Sequence, residues 1–270
     1  MANAMREALV QTVRRLGAAT LHFVGQLGYA ARFFVAVITH SPAAFRRLQL
    51  TLREIYFSGV LSLIIILVSG LFVGMVLALQ GYDVLVRYGA DESLGILVSL
   101  SLVRELGPVV AGLRFASRAG SAITAEIGLM NATEQITAME MMAVDPLARV
   151  VAPRFWGGVV SMPLLAALFS MMGIYGAYLV GVKLIGIDSG AFWGNMQAAV
   201  DFREDIVNGI IKSFVFGVAV SLIAVFEGFN AAPTAEGVST ATTRTVVESS
   251  LAILALDFVM TVFMFRGVNV

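Results

Sequence analysis

Four ionisable side chains sit where charge is most costly. Arg104 and Glu105 adjoin within SLVRELGPVV, Lys212 lies in GIIKSFVF and Asp257 in ALDFVM, each inside a run otherwise suited to hydrocarbon. At a bilayer centre each costs a few kcal/mol, so four without partners cost about 10 kcal/mol. Neighbours on a helix point about 100° apart, so Arg104 and Glu105 must each reach another helix. Two cations and two anions sum to zero. Arg104 with Asp257 and Glu105 with Lys212 is the simplest pairing, and a four-member network is equally compatible. Three chemistries fit: a clamp that fixes helix register, a direct part in transport, or a proton relay through Glu105 and Asp257. The relay ranks last, because each acid has a base at hand to keep it ionised.

Five apolar runs must position these groups: about Val60 to Gly81, Leu94 to Leu113, Phe155 to Val182, Ile206 to Phe226 and Val246 to Phe265. Each approaches the roughly 20 helical residues that cross a hydrocarbon core, and none alternates as a membrane strand would. Composition agrees: 59% of the 270 residues are hydrophobic and 13% charged, against about a quarter charged in soluble domains. The expected class is an all-α integral membrane protein. Zero net charge gives no footprint for nucleic acid. The absence of cysteine excludes disulfides and thiolate metal sites, and His22 and His40 are too few for a histidine metal centre.

Lys and Arg in the flanks set orientation. One side holds Arg6, Arg14, Arg15, Arg32, Arg46, Arg47, Arg53, Arg114, Arg118, Arg149, Arg154 and Arg244; the other holds Arg87, Lys183, Arg203 and Arg266. The N-terminus is therefore expected in the cytoplasm and, after five spans, the C-terminus outside. Residues 1–57 form a separate N-terminal region before a five-span unit at 58–266. Leu16, Thr20, Phe23, Leu27, Ala31, Phe34 and Ile38 recur there at helical spacing with Arg14 and Arg32 interspersed. That pattern suits a helix lying in the interface, with a sixth span as the alternative.

Other features carry weaker signals. Gly70 and Gly74 are spaced as GxxxG, which lets helix backbones approach closely. Gly107-Pro108 and Pro163 should bend the second and third spans. Leu77, Gly81, Val84, Leu85 and Tyr88 share a helical face, either packed on neighbouring helices or open as a groove for lipid tails. Between Arg114 and Arg154, Ile136, Met139, Met142 and Leu147 fall near one face of an amphipathic segment. Glu134 and Glu140 mark another face, and Asp145-Pro146 ends it. An acidic polar face disfavours the bilayer surface, and methionine suits docking into a partner's groove. No GxxxxGK[ST], G-x-S-x-G or HExxH occurs, so neither P-loop nucleotide binding nor catalysis is expected in this chain.

The strings SGLFVGMVLALQGY, SLVRELGPVVAGLRFASRAGSAITAEIGLMNATEQITAMEMMAVDPL and TATTRTVVESSLAILALDF closely resemble the MlaE family. These are the permease subunits of the bacterial ABC system that maintains outer-membrane lipid asymmetry. The resemblance runs from about Ser41 to Phe265; the first forty residues match poorly, and Ser117 stands where the family has glycine. It implies a type-II ABC transporter-like permease, a homodimer with an N-terminal interfacial helix and five spans in the inner membrane. Implied partners are a cytoplasmic ABC ATPase subunit (MlaF-like) that binds ATP and Mg, a STAS-domain protein (MlaB-like) and a periplasmic MCE-domain hexamer (MlaD-like). By position, the family's phospholipid pocket between first spans falls on Leu77, Val84, Leu85 and Tyr88. Its intramembrane charges fall on Arg104, Glu105, Lys212 and Asp257, and its coupling helix on about Glu134 to Leu147. Two rivals remain, an ion-coupled secondary transporter using Glu105 and Asp257, and a membrane anchor that transports nothing.

Overall fold

The computed structural model describes residues 2–266; within its helices, side chains including those of Leu16, Phe23, Leu27 and Phe265 lie outside the described set. A helix α1 (Ala2–Arg46) leads into α2 (Leu48–Arg87), α3 (Asp91–Ala132), the short α4 (Gln135–Met141) and α5 (Leu147–Leu184). After these come α6 (Ser189–Ala199), α7 (Phe202–Phe229) and α8 (Ala235–Arg266). Among the described residues, α2, α3, α5, α7 and α8 are long and apolar enough to cross a membrane. The chain is a multi-pass, all-α membrane protein.

The helices outrun the apolar segments. At 1.5 Å per residue, the 40 residues of α2 and 42 of α3 reach roughly 60 Å, twice a hydrocarbon core. Beyond Leu113, where the apolar run stops, α3 continues helical to Ala132. Its face of small and apolar residues (Ala116, Ala119, Gly120, Ile123, Ile127) is buried inside the bundle, while Arg114 and Glu126 face outward. Outward polar residues depress hydropathy without breaking a helix, which is why the apolar run stopped early.

Packing forms two layers. One core gathers Leu94, Leu102, Phe115, Phe169, Phe216 and Ile253 in the bundle; the other, at the arginine-rich end, gathers Ile127, Ile136, Val151, Phe155 and Val225 with Phe33 and Val37 of α1. The inward face of α1 is thus Phe33, Val37, Ser41 and Ala44; of the expected stripe, Phe34 packs partly on this core while Ala31 and Ile38 are exposed. The run ARFFVAVI is apolar on several faces, so its periodicity did not fix the phase. Polar ties anchor the same helix: Trp156 Nε1 donates to Ser41 Oγ (2.8 Å) and Tyr29 OH to Asn230 Oδ1 (3.0 Å).

Gly70 and Gly74 serve packing within the chain. They meet α5 backbone to backbone, where a Cβ on Gly70 would lie 2.7 Å from the Phe169 carbonyl oxygen and one on Gly74 would overlap the Gly173 carbonyl. Pro163 sits inside an unbroken helical stretch, Ala152–Tyr178, so α5 continues past it. Gly74→Leu should therefore eliminate folded protein in detergent extracts, read by size-exclusion chromatography. At Gly25 an added methyl meets nothing, and Gly25→Ala should move the melting temperature by no more than about 4 °C.

Candidate functional site

The charged site begins at Pro108. Proline has no N–H, so the carbonyl one turn earlier, on Arg104, loses its helical partner. The backbone widens here into a π turn over Leu102–Leu106, closed by the Gly107 N–H donating to the Leu102 carbonyl. Gly107 is required, because a Cβ there would strike Ser170 Oγ on α5. The freed Arg104 carbonyl is taken up by Lys212 Nζ of α7, 3.1 Å away. Such bulges re-aim side chains at functional sites, and this one carries both Arg104 and Glu105.

Lys212 is the hub. It is 1% exposed, and besides the Arg104 carbonyl it donates to Glu105 Oε2 (2.8 Å), Asp257 Oδ1 (3.2 Å) and Thr261 Oγ1 (2.8 Å). Thr261 in turn lies 3.2 Å from Glu105 Oε2 as donor. One ammonium thereby ties α3, α7 and α8. Four oxygen acceptors around one Nζ make this arrangement a tie between helices.

Arg104 takes a different partner from the simplest pairing. Its Nε donates to Asp205 Oδ1, while Asp257 joins Lys212. Asp205 is fully buried, and its other oxygen accepts the Asp201 N–H (2.8 Å). Asp201 itself caps α7, and the backbone N–H groups of Glu204 and Arg203 hold its carboxyl below the usual aspartate range. Asp205 immediately precedes the apolar run that begins at Ile206, so hydropathy does not mark it as an intramembrane charge. The missed signal was spacing: Asp205 stands seven residues before Lys212, two turns away on the same face. Likewise Thr261 lies one turn beyond Asp257.

Thr124 makes a second tie between the same three helices. Its Oγ1 is 2.8 Å from Thr245 Oγ1 of α8 and donates to the Ala224 carbonyl of α7 (3.0 Å). Between the two ties, Phe115, Phe216, Val220 and Ile253 are wholly buried.

The stripe on α2 divides. Leu77 and Leu85 pack on the bundle core, and Gly81 is buried where a Cβ would lie 3.0 Å from Leu94. Val84 and Tyr88 face outward, Tyr88 at 80% exposure. Farther along α2, Ile64, Val68, Phe72 and Val76 form an exposed apolar row.

The α4 segment is bracketed by left-handed residues, Glu134 (φ 57°) and Ala143 (φ 56°). Ile136, Met139 and Leu147 turn into the lower core. Met142 faces out, so the face expected to hold it with Met139 is split. Two turns of helix followed by the turn at Met142–Asp145 break the periodicity. Met141, which periodicity did not single out, is 85% exposed; Glu134 and Glu140 are exposed too. Asp145 accepts from the Leu147 N–H and pairs with His40 Nε2 of α1 (2.9 Å). Among the described residues, no three His, Asp or Glu side chains converge as metal ligands.

Comparison with known proteins adds an independent line. A family model described as Permease MlaE matches residues 51–263. The intermembrane phospholipid transport system permease protein MlaE of Haemophilus influenzae is 54% identical over 95% of this chain and 98% of its own. A probable ABC transporter permease of Rickettsia typhi is 35% identical over 96% of this chain and 99% of its own. The chloroplastic protein TRIGALACTOSYLDIACYLGLYCEROL 1 of Arabidopsis thaliana is 32% identical over 80% of this chain and 62% of its own. With the match covering all five spans and both polar ties, this chain belongs to the MlaE permease family.

Proposed function

We propose that the chain is the permease subunit of an ATP-driven phospholipid transporter in the bacterial inner membrane, acting as a homodimer. One observation carries the reading: a clamped interior beside helices whose outer faces are uncommitted. The polar ties join α3, α7 and α8 on their inner faces. Yet only 22% of the α2 apolar window and 11% of the α8 window is buried, against 56% for α5. Two copies meeting along the outer row of α2 would enclose an apolar slot, with Val84 and Tyr88 at its rim and Leu77 and Leu85 behind it. The relative named for intermembrane phospholipid transport supports lipid as the cargo.

The motor lies outside this chain. A cytoplasmic ABC ATPase binding ATP and Mg would dock on Met141 and Met142, with the arginine-rich end of the bundle facing the cytoplasm. Because Ile136 and Met139 root the α4 segment in the lower core, a push there would reach α5 and α7. A STAS-domain protein and a periplasmic MCE-domain hexamer complete the proposed assembly. A proton relay through Glu105 and Asp257 is disfavoured, since Lys212 donates to both carboxylates.

Three outcomes are expected. Proteoliposomes holding the co-expressed complex should move fluorescent phospholipid only with hydrolysable ATP; movement driven by a pH gradient without ATP would refute the motor. Lys212→Met leaves the half-buried carboxylates of Glu105 and Asp257 without their cation, which should lower the melting temperature by about 10 °C. Adding Glu105→Gln and Asp257→Asn should restore most of that stability, read by thermal unfolding in detergent, but not the lipid transfer rate. Met141→Asp with Met142→Asp should release the ATPase in pull-downs while leaving the melting temperature unchanged. Met139→Asp should instead lower the melting temperature.

A further inference from the structure

A second charged site lies outside the clamp, at the arginine-rich end. A cavity of about 450 Å³ opens there among the start of α2, the far end of α3 and the start of α5. Its walls carry three guanidiniums, from Arg53, Arg149 and Arg154, and two carboxylates, from Glu54 and Glu126. Arg154 accounts for both acids: its Nη2 lies 3.2 Å from Glu126 and 3.8 Å from Glu54. That leaves Arg53 and Arg149, both exposed, with no carboxylate within ion-pair distance among the described residues. Arg53 stacks over the Phe57 ring at 5.5 Å, which orients its guanidinium without neutralising it. Neither guanidinium makes a side-chain hydrogen bond or ion pair among the described residues, and Arg53 acts on Glu54 only at longer range.

Height and rim chemistry narrow what would fill this space. Arg53 precedes Val60, where the apolar run begins, by seven residues, about 10 Å along a helix. That depth is the head-group layer, which adds several ångströms beyond the hydrocarbon on each side. The rim includes Phe57 and Leu129, both exposed and apolar. A ligand here meets cations at one end and hydrocarbon-like surface at the other.

We propose that this cavity binds the phosphate of an anionic phospholipid head group, with Arg53 and Arg149 as its ligands and Phe57 and Leu129 flanking the acyl chains. Guanidiniums suit phosphate oxygens because their donors form a planar fork. Three guanidiniums against two carboxylates leave one net positive charge on the walls, which favours a singly anionic lipid over a zwitterionic one. The site lies at the opposite end of α2 from Val84 and Tyr88, so it stands apart from the transport slot and would act as a resident lipid site beneath α4.

The test uses the full chain in phosphate-free detergent, titrated with dioleoylphosphatidylglycerol, dioleoylphosphatidylcholine or glycerol 3-phosphate, reading thermal stabilisation. Phosphatidylglycerol should stabilise at a midpoint concentration at least about ten-fold below phosphatidylcholine. Arg53→Gln with Arg149→Gln should raise that midpoint about thirty-fold, while Arg53→Lys with Arg149→Lys, which keeps the charge and loses the fork, should raise it by less, about three- to ten-fold. The melting temperature without added lipid shows whether each variant is folded. Equal responses to the two lipids, or an unshifted midpoint in the Gln variant, would overturn the proposal. So would saturation by glycerol 3-phosphate at the lipid's concentration, which would make the ligand a soluble phosphate ester. Loss of co-expressed cytoplasmic subunits from the Gln variant with its lipid response intact would make the cavity a protein contact, and also overturn it.

Discussion

An ammonium group in hydrocarbon is tolerable only when every proton has an acceptor, and the architecture answers that demand for Lys212. The acceptors come from two other helices: a backbone carbonyl and carboxylate from α3, a carboxylate and hydroxyl from α8. The backbone acceptor exists only because Pro108 removed its normal partner. A helix-breaking residue and a buried cation thus solve each other's problem. Within a membrane, where an unsatisfied polar group costs several kcal/mol, such mutual satisfaction narrows how α3, α7 and α8 can be arranged. Sliding α7 by one turn, about 5.4 Å, would pull Lys212 from all its acceptors at once.

One node fixes position; two nodes fix orientation. Thr124, Thr245 and the Ala224 carbonyl join the same helices again, twelve residues along α7 from Lys212 and so roughly 20 Å away. Helices pinned at two such levels resist rotation as well as separation. α5 is held by a different device, close backbone approach. Gly70 and Gly74 of α2 meet Phe169 and Gly173 of α5, and Gly107 of α3 meets Ser170. Small residues do for α2 and α5 what charge does for α7 and α8. In lipid, where burying apolar surface between helices gains little, both devices are needed.

Much of this was legible in the sequence, and the exceptions share a cause. Hydropathy located all five spans because lipid-facing and core-facing residues are both apolar there. It failed where one face turned polar. The end of α3 passes through Arg114, Arg118 and Glu126 yet stays helical, because its other face is buried. Asp205 escaped for the same reason, placed just before an apolar run while its side chain folds back onto Arg104. The four intramembrane charges stood out because composition alone marks them, but their pairing needs the helix neighbours, which spacing along one chain does not encode. On α1 the ambiguity was opposite in kind: with apolar residues on several faces, periodicity has no phase to report.

The lower core decides how a force at α4 would travel. Ile136 and Met139 pack with Val151, Phe155 and Val225, so α4 is keyed into α5 and α7 rather than riding on a loose loop. α1 keys into the same cluster through Phe33 and Val37, and His40 pairs with Asp145 directly after α4. Displacement of α4 would therefore be passed to this cluster through Ile136 and Met139. The nearest yielding surfaces are the outward faces of α2 and α8, which the interior ties leave free. In the proposed homodimer, a bundle tied on its inside and uncommitted on its outer faces would turn a push at its base into movement of one copy against the other. That is the mechanical property an external motor requires of a passive permease.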